Sequence, residues 1–401
     1  MMFIPYPSER SRDIGERIEA FVRQKVVPYE RDPRCLGHEP EPDLVRELRE
    51  KARAEGLMTP HIFPDGQHMT QLETAAVLQR SGLSPLGPVA LNTMAPDEGN
   101  MYLLGKVATD AQKRHFLDKL VSGQARSAFF MTEPWDKGGA GSDPSMLQTT
   151  AVQDGDDWVI NGRKVFITGA QGAEVGIVMA RTGTGDRVQA TMFLVDLPHP
   201  DIHIDKVVHT IDNSMPGGHA LVTLRNLRVP AAHVLGEAHE GFRYAQVRLS
   251  PARLSHCMRW LGAAVRAHEI ACDYAVQRQA FGKLLIDHEG VGFKLVDNQI
   301  DLHQAALLIA WCASELDTGS LATTESSLTK ASVAESLFRV ADRCVQVMGG
   351  AGLSQGSVVE QVFRETRAFR VYDGPTEVHK WSLAKKIKRA TLERRAQQNA
   401  G

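Results

Sequence analysis

Hydrophobic positions recur with two different periods along this chain, and the changes of period divide it. Between Ser8 and about Gly123 the repeat is helical. Ile14, Ile18, Phe21 and Val22 share one face, as do Leu44, Leu48, Ala52 and Leu57, with Gly56 suited to end the second helix. Thr109-Asp110-Ala111-Gln112 opens another helix carrying Phe116, Leu117 and Leu120. From about Arg126 short β-branched and aromatic runs take over, at 149–152, 158–160, 164–167, 177–180, 191–195 and 220–224, with Asp154-Gly155-Asp156 and Asn161-Gly162 as turns. This predicts an antiparallel β-domain ending near Val229-Pro230. After Gly241 the helical period returns. It predicts long helices over 240–277, 287–318 and 325–348, the third stopped by Gly349-Gly350, and shorter ones after Ser354 and Asp373. Residues 394–401 read as a frayed tail. The expected architecture is α+β but mainly α, with a helical domain at 1–125, a β-domain at 126–236 and a four-helix-bundle domain at 237–401.

Length and composition narrow the function classes. A chain of 401 residues is long enough for two or three packed units. With 43% hydrophobic and 23% charged residues the balance is that of a globular protein. A formal net charge of −2 provides no field for nucleic acid or an anionic membrane, and neither is expected as a partner. The longest strongly apolar run, Ala305 to Ala313, is too short to cross a bilayer. The start, Met1-Met2-Phe3-Ile4-Pro5-Tyr6, has no basic leader, so a soluble, cytoplasmic protein without signal peptide is expected. Cys35, Cys257, Cys272, Cys312 and Cys344 show no CxxC spacing and read as small buried hydrophobes. The fifteen histidines include no HExxH; His256, His288, His303 and His379 read as ordinary polar positions, and no metal is expected.

Candidate chemistry concentrates at five places. Tyr372-Asp373-Gly374-Pro375 sets a carboxylate on a tight turn ahead of a helix, where backbone N–H groups and the dipole favour its charged form. A fixed, ionised carboxylate suits proton abstraction from carbon, although Asp-Gly-Pro is also an ordinary turn. Phe129-Phe130-Met131-Thr132-Glu133-Pro134 runs into the glycine-rich Gly138-Gly139-Ala140-Gly141-Ser142-Asp143, whose backbone can approach a ligand or simply form a surface loop. Phe166-Ile167-Thr168 offers an aromatic face with a hydroxyl two residues on. Arg278 to Lys283 and Gln346 to Gly352 close two long helices with a basic cluster and a glycine stop; on their own the first is more often a dipole complement, and the second can be an ordinary cap. A Rossmann unit is excluded by the order helix, sheet, helix, and Gly139-Ala140-Gly141-Ser142-Asp143-Pro144 carries proline at the third glycine position.

Four of these segments, taken in sequence order, closely resemble the acyl-CoA dehydrogenases, from about residue 10 to 390. The match rests on Met131-Thr132-Glu133-Pro134…Gly141-Ser142-Asp143, Phe166-Ile167-Thr168, Arg278-Gln279-Ala280-Phe281-Gly282 and Gln346 to Gly350. The resemblance implies FAD held between β-domain and bundle. Phe166 would cover the ring, Thr168 would hydrogen-bond its N5 edge, backbone at Phe130, Met131 and Thr132 would hold the pyrimidine edge, and Ser142 would lie where pyrophosphate and substrate meet. Arg278, Phe281, Gln346, Gly349 and Gly350 would reach the FAD of a neighbouring subunit, implying a homodimer or a dimer-of-dimers tetramer; Thr376 and Glu377 join the cofactor set. Asp373 would be the α-proton base for an acyl-CoA substrate, with Ser142, Arg253 and Gly374 beside it. The Asp373 N–H and a ribityl hydroxyl of FAD would polarise the thioester carbonyl, and electrons would pass to an electron-transfer flavoprotein.

The departures from the family pattern are specific. The base is commonly Glu; here Asp373 is one methylene shorter. Ala252 stands where some members carry the base on the first bundle helix, and Ser250 and Glu289 replace a usual Asp and Gln. Trp135-Asp136-Lys137-Gly138 lengthens the flavin loop. Arg253 to Arg259 and Asp373 to His379 look like the subgroup with an Asp base whose animal members follow a kinase-like domain, a subgroup associated with acyl-CoAs oxygenated at carbon 4. Beside α,β-dehydrogenation stand two alternatives: flavin-dependent isomerisation or elimination on such a 4-oxygenated acyl-CoA, and a non-catalytic acyl-CoA or flavin scaffold.

Overall fold

The computed structural model describes residues 3–35, 37, 39–63, 67–183 and 188–400. Its longer helices are α1 (Glu9–Phe21), α2 (Pro42–Ala54), α3 (Gln71–Ser81), α4 (Asp97–Val107), α5 (Gly241–Gln277), α6 (Glu289–Asp317), α7 (Thr323–Met348), α8 (Val358–Phe369) and α9 (Thr376–Ala400). Capping boxes open α1 at Ser8 and α3 at Thr70, each pairing the cap hydroxyl with the third helical residue's N–H. Gly349, at φ +57, ends α7 as its glycine pair predicts.

Between α4 and α5 lies the sheet: β1 (Ser127–Phe130), β2 (Thr150–Asp154), β3 (Asp157–Thr168), β4 (Val175–Arg181), β5 (Ala190–Asp196), β6 (Ile202–Val208) and β7 (His219–Pro230), in spatial order β1-β4-β2-β3-β7-β6 with β5 on β4. Most pairings are antiparallel, as expected, but β1 runs parallel to β4, with Ser127 opposite Val175 and Phe130 opposite Val178. That pairing needs a crossover, which residues 131–174 supply. A second difference is at Asn161-Gly162: it is no turn but a register shift inside the long strand β3. A third is α9, which is long rather than short and continues through the expected tail to Ala400, with Arg389 paired to Glu393 and Lys386 on Thr323 and Thr324.

Three apolar clusters hold these layers. The largest is shared by the N-terminal helices and the bundle, joining Leu44, Leu48 and Leu78 to Leu261, Leu302 and Leu337. Alternate residues of β4 divide between the other two: Val175, Ile177 and Met179 face α4 and its neighbours, and Val178 and Ala180 face the other side of the sheet. The helical domains meet closely at Gly82 and Gly262, where an added Cβ would collide with the carbonyls of Arg259 and Gln79. Among the described residues no helix is long and apolar enough to cross a membrane.

Candidate functional site

The turn from α8 to α9 carries Asp373 at φ +52 and Gly374 at φ +101. Both lie in the left-handed region, which Asp tolerates better than most residues. The turn is held from below. Arg253 Nε donates to the Asp373 carbonyl at 3.0 Å, Lys330 Nζ donates to the Gly374 carbonyl at 2.7 Å, and a Cβ at Gly374 would meet His379 Nε2 at 2.7 Å. Burial pushes the Lys330 ammonium down to about 8. Thr376 is buried, its hydroxyl donating to Glu335 at 2.7 Å, while Glu377 is exposed.

The Asp373 carboxylate meets His256 Nε2 at 3.3 Å through Oδ2. His256 Nδ1 lies 3.2 Å from an Arg259 guanidinium nitrogen, which can only donate. Nδ1 is therefore the acceptor, and Nε2 carries the proton offered to Asp373. Burial pushes His256 below its ordinary pKa, more than Asp373 restores, so the imidazole is neutral. Burial also opposes charge on Asp373, but the His256 hydrogen bond with Arg248 and Arg253 outweighs it and holds the carboxyl well below the usual range. The Asp373 N–H meets no backbone acceptor among the described residues. Sequence reading treated His256 as an ordinary polar position; the signal was its place on the same α5 face as Arg253 and Arg259.

Buried polar groups continue from here towards α4. Buried Arg248 donates to Asn100 Oδ1 at 2.8 Å and lies 4.0 Å over the Phe129 ring. Ser255 donates to Glu98 at 2.5 Å. Glu98, His61 and His68 offer ligand atoms within 4.8 Å of one another, the one group of metal-ligating type found among the described residues.

On the sheet, Phe166 sits in the second register shift of β3, at φ +56, with 56% of its surface exposed. A bulge with a left-handed aromatic turns that side chain out at a cost in strain. Phe130 is fully buried, so only its backbone is available to a ligand; Met131 and Thr132 are half-buried, and Ser142 is exposed. The glycine-rich loop is anchored by a buried pair. Lys164 Nζ donates to Glu133 Oε1 at 2.9 Å and to the carbonyls of Met131 at 3.1 Å and Met179 at 2.8 Å. The Glu133 carboxylate also accepts the N–H groups of Ala140, Gln148 and Thr149. Burial pushes Lys164 down to about 8.

A hydrogen-bonded chain joins sheet to bundle. Thr168 Oγ1 lies 2.9 Å from His219 Nδ1, and His219 Nε2 lies 2.9 Å from Asp212 Oδ2. The N–H groups of Asn213 and Ser214 both donate at 2.8 Å to Glu365 on α8, the helix that leads into Asp373. Burial and then Asp212 push the Glu365 carboxyl up to about 7, from 4.5 when free. Its proton therefore stabilises the fold fully below 4.5 and that contribution is lost as pH rises through about 7. We expect wild-type melting temperature to fall relative to Glu365→Gln between about pH 5 and about pH 8. Parallel pH profiles for the two proteins would contradict the assignment.

Arg278, Phe281, Gln346, Gly349 and Gly350 are all exposed, at the ends of α5 and α7 and on the hairpin after α5. Phe281 is 97% exposed at φ +50, and a Cβ at Gly141, Gly349 or Gly350 would meet nothing within 4 Å. No hydrogen bond, ion pair or ring contact joins these positions to Asp373 or to Thr168 among the described residues.

Three family descriptions match the chain in order: "Acyl-CoA dehydrogenase, N-terminal domain" over residues 8–124, "middle domain" over 128–216 and "C-terminal domain" over 239–388. "Probable acyl-CoA dehydrogenase FadE2" of Mycobacterium tuberculosis is 35% identical, over 94% of this chain and 95% of that protein. "Acyl-CoA dehydrogenase family member 11" of Gallus gallus is 34% identical over 97% of this chain but only 52% of its own length; the chain spans about half of such curated relatives. The solved butyryl-CoA dehydrogenase of Megasphaera elsdenii superposes with a TM-score of 0.83 at 25% identity, covering 95% of this chain and 98% of that one.

Proposed function

Because the chain belongs to the acyl-CoA dehydrogenase family, we propose that it is an FAD-dependent enzyme desaturating an acyl-CoA thioester between its α and β carbons, with Asp373 as the α-proton base. The observation that carries this is the Asp373 carboxylate, kept ionised by a neutral His256 and presented on a left-handed turn beside its own N–H, which has no backbone acceptor among the described residues. Oδ1, the oxygen not facing His256, takes the α-proton. The Asp373 N–H supports the negative charge that develops on the thioester oxygen. An acyl chain seated against the carboxylate removes its remaining water and raises its basicity. Arg253 and Lys330 keep the turn in place while this happens.

The residues present fit a flavin. Phe166 offers an exposed aromatic face, Thr168 a hydroxyl, and Gly141, Gly349 and Gly350 leave their backbone open to close approach. FAD bound there supplies the hydride acceptor for the β-carbon. Ser142 and the backbone of Phe130, Met131 and Thr132 would hold it from its own subunit. Arg278, Phe281, Gln346, Gly349 and Gly350 would hold it from a second copy, which would make the enzyme a homodimer or a dimer-of-dimers tetramer. An electron-transfer flavoprotein is the fitting acceptor.

A second reading, isomerisation or elimination on an acyl-CoA oxygenated at carbon 4, is favoured by the buried polar groups His256 and Arg248 beside the carboxylate. Only net oxidation needs an external acceptor, so product analysis without one separates the two. The purified protein is expected to be yellow and to bleach anaerobically with at least one member of an acyl-CoA panel. A colourless protein, or a yellow one that no acyl-CoA bleaches, contradicts the proposal.

A further inference from the structure

Thr168, His219 and Asp212 form a relay that the family match does not account for. Thr168 and His219 are partners across β3 and β7, which fixes their backbones opposite each other. The Asp212 side chain is 4% exposed and its loop is pinned by Glu365, so its position is set from the bundle. A carboxylate can only accept, so His219 Nε2 is the protonated nitrogen. A singly protonated imidazole then leaves Nδ1 as an acceptor, and the one proton able to fill the 2.9 Å gap is that of the Thr168 hydroxyl. What Thr168 offers in any other direction is oxygen lone pairs.

We propose that His219 and Asp212 are positioning residues which turn the Thr168 proton away from the cofactor, so that this hydroxyl accepts a hydrogen bond and selects a ligand atom bearing N–H. The inference rests on Thr168 facing the flavin N5 edge. Oxidised flavin has a bare N5 and reduced flavin has N5–H, so an oxygen restricted to accepting favours the reduced form. A free hydroxyl rotates and serves both forms. The relay therefore makes the bound flavin easier to reduce than the same site without it.

The test is the two-electron midpoint potential of the holoenzyme, read from flavin absorbance. His219→Leu frees the Thr168 hydroxyl. Asp212→Asn permits the other imidazole tautomer, with the proton on Nδ1. Each is expected to lower the equilibrium constant for reduction about tenfold, roughly 30 mV for two electrons. In a Thr168→Val background neither change should shift the potential further. A shift of equal size in that background means His219 acts on the fold rather than through Thr168, and overturns the proposal. So does a yellow His219→Leu variant at the wild-type potential. A colourless wild-type protein instead removes the flavin reading itself, and the relay with it.

Discussion

Asp373→Asn is expected to bind its flavin as tightly as wild type and to lose acyl-CoA-driven bleaching by about 10²–10⁴-fold, the usual contribution of a positioned general base. Asn is the appropriate replacement because it shares the tolerance of Asp for the left-handed backbone at φ +52. It also keeps an oxygen that can accept from His256, so the buried imidazole is not left without a partner. The turn, its Arg253 and Lys330 props and the N–H at residue 373 all survive; only the proton acceptor is gone. Glu in its place restores the reach of the commoner family base but costs about 1–2 kcal/mol for the left-handed backbone. That cost is one physical reason for a short acid on this turn. Bleaching of the Asn variant within a few-fold of wild type would remove Asp373 from the role.

The second large effect lies on the sheet. Lys164→Met leaves Glu133 charged and buried, with its side chain 2% exposed, and is expected to destabilise the protein by about 3–5 kcal/mol. The loss is not confined to stability. Lys164 ties Met131, just after β1, to Met179 of β4, and Glu133 collects the N–H groups of Ala140 within the glycine-rich loop and of Gln148 and Thr149 after it. Freed from that clasp, the loop should bind FAD more weakly. The double variant Glu133→Leu/Lys164→Met removes both charges and should recover much of the stability, because the penalty comes from the unpaired ion. It should not recover flavin affinity, because Glu133, the acceptor of the loop N–H groups, is then gone. Chemical denaturation with flavin titration separates the two effects. Equal stability of the single and double variants would contradict the account.

The helices were legible where one face is apolar. Ile18 and Phe21 are buried on α1, and Leu44, Leu48 and Ala52 on α2, because the 3.6-residue period records which side meets the core. α9 was read short because residues beyond Leu383 are almost all exposed and carry no such period. β6 gave no signal for the same reason: it is an edge strand with four consecutive exposed residues, and its pairing with β7 is a backbone matter. Asn161-Gly162 has the composition of a hairpin turn, but β7 lies alongside β3 on both sides of it, and cross-strand pairing overrides the local preference. The candidate site was legible wherever a short motif carries it, as at Phe166 to Thr168 and Tyr372 to Pro375. What sequence could not give is what distant residues do to one another. His256 and Asp373 are more than a hundred positions apart, Thr168 and His219 are 51 apart, and Glu365 reaches a loop some 150 residues earlier.

The most direct measurement follows the α-proton itself. An acyl-CoA with sulfur at the β-position has no hydride to give, so any loss of its α-hydrogen reports the base alone. Incubated in D2O with wild-type protein, such a thioester should exchange its α-hydrogens for deuterium by NMR, and Asp373→Asn should leave them in place. Exchange by the Asn variant at the wild-type rate would contradict the account.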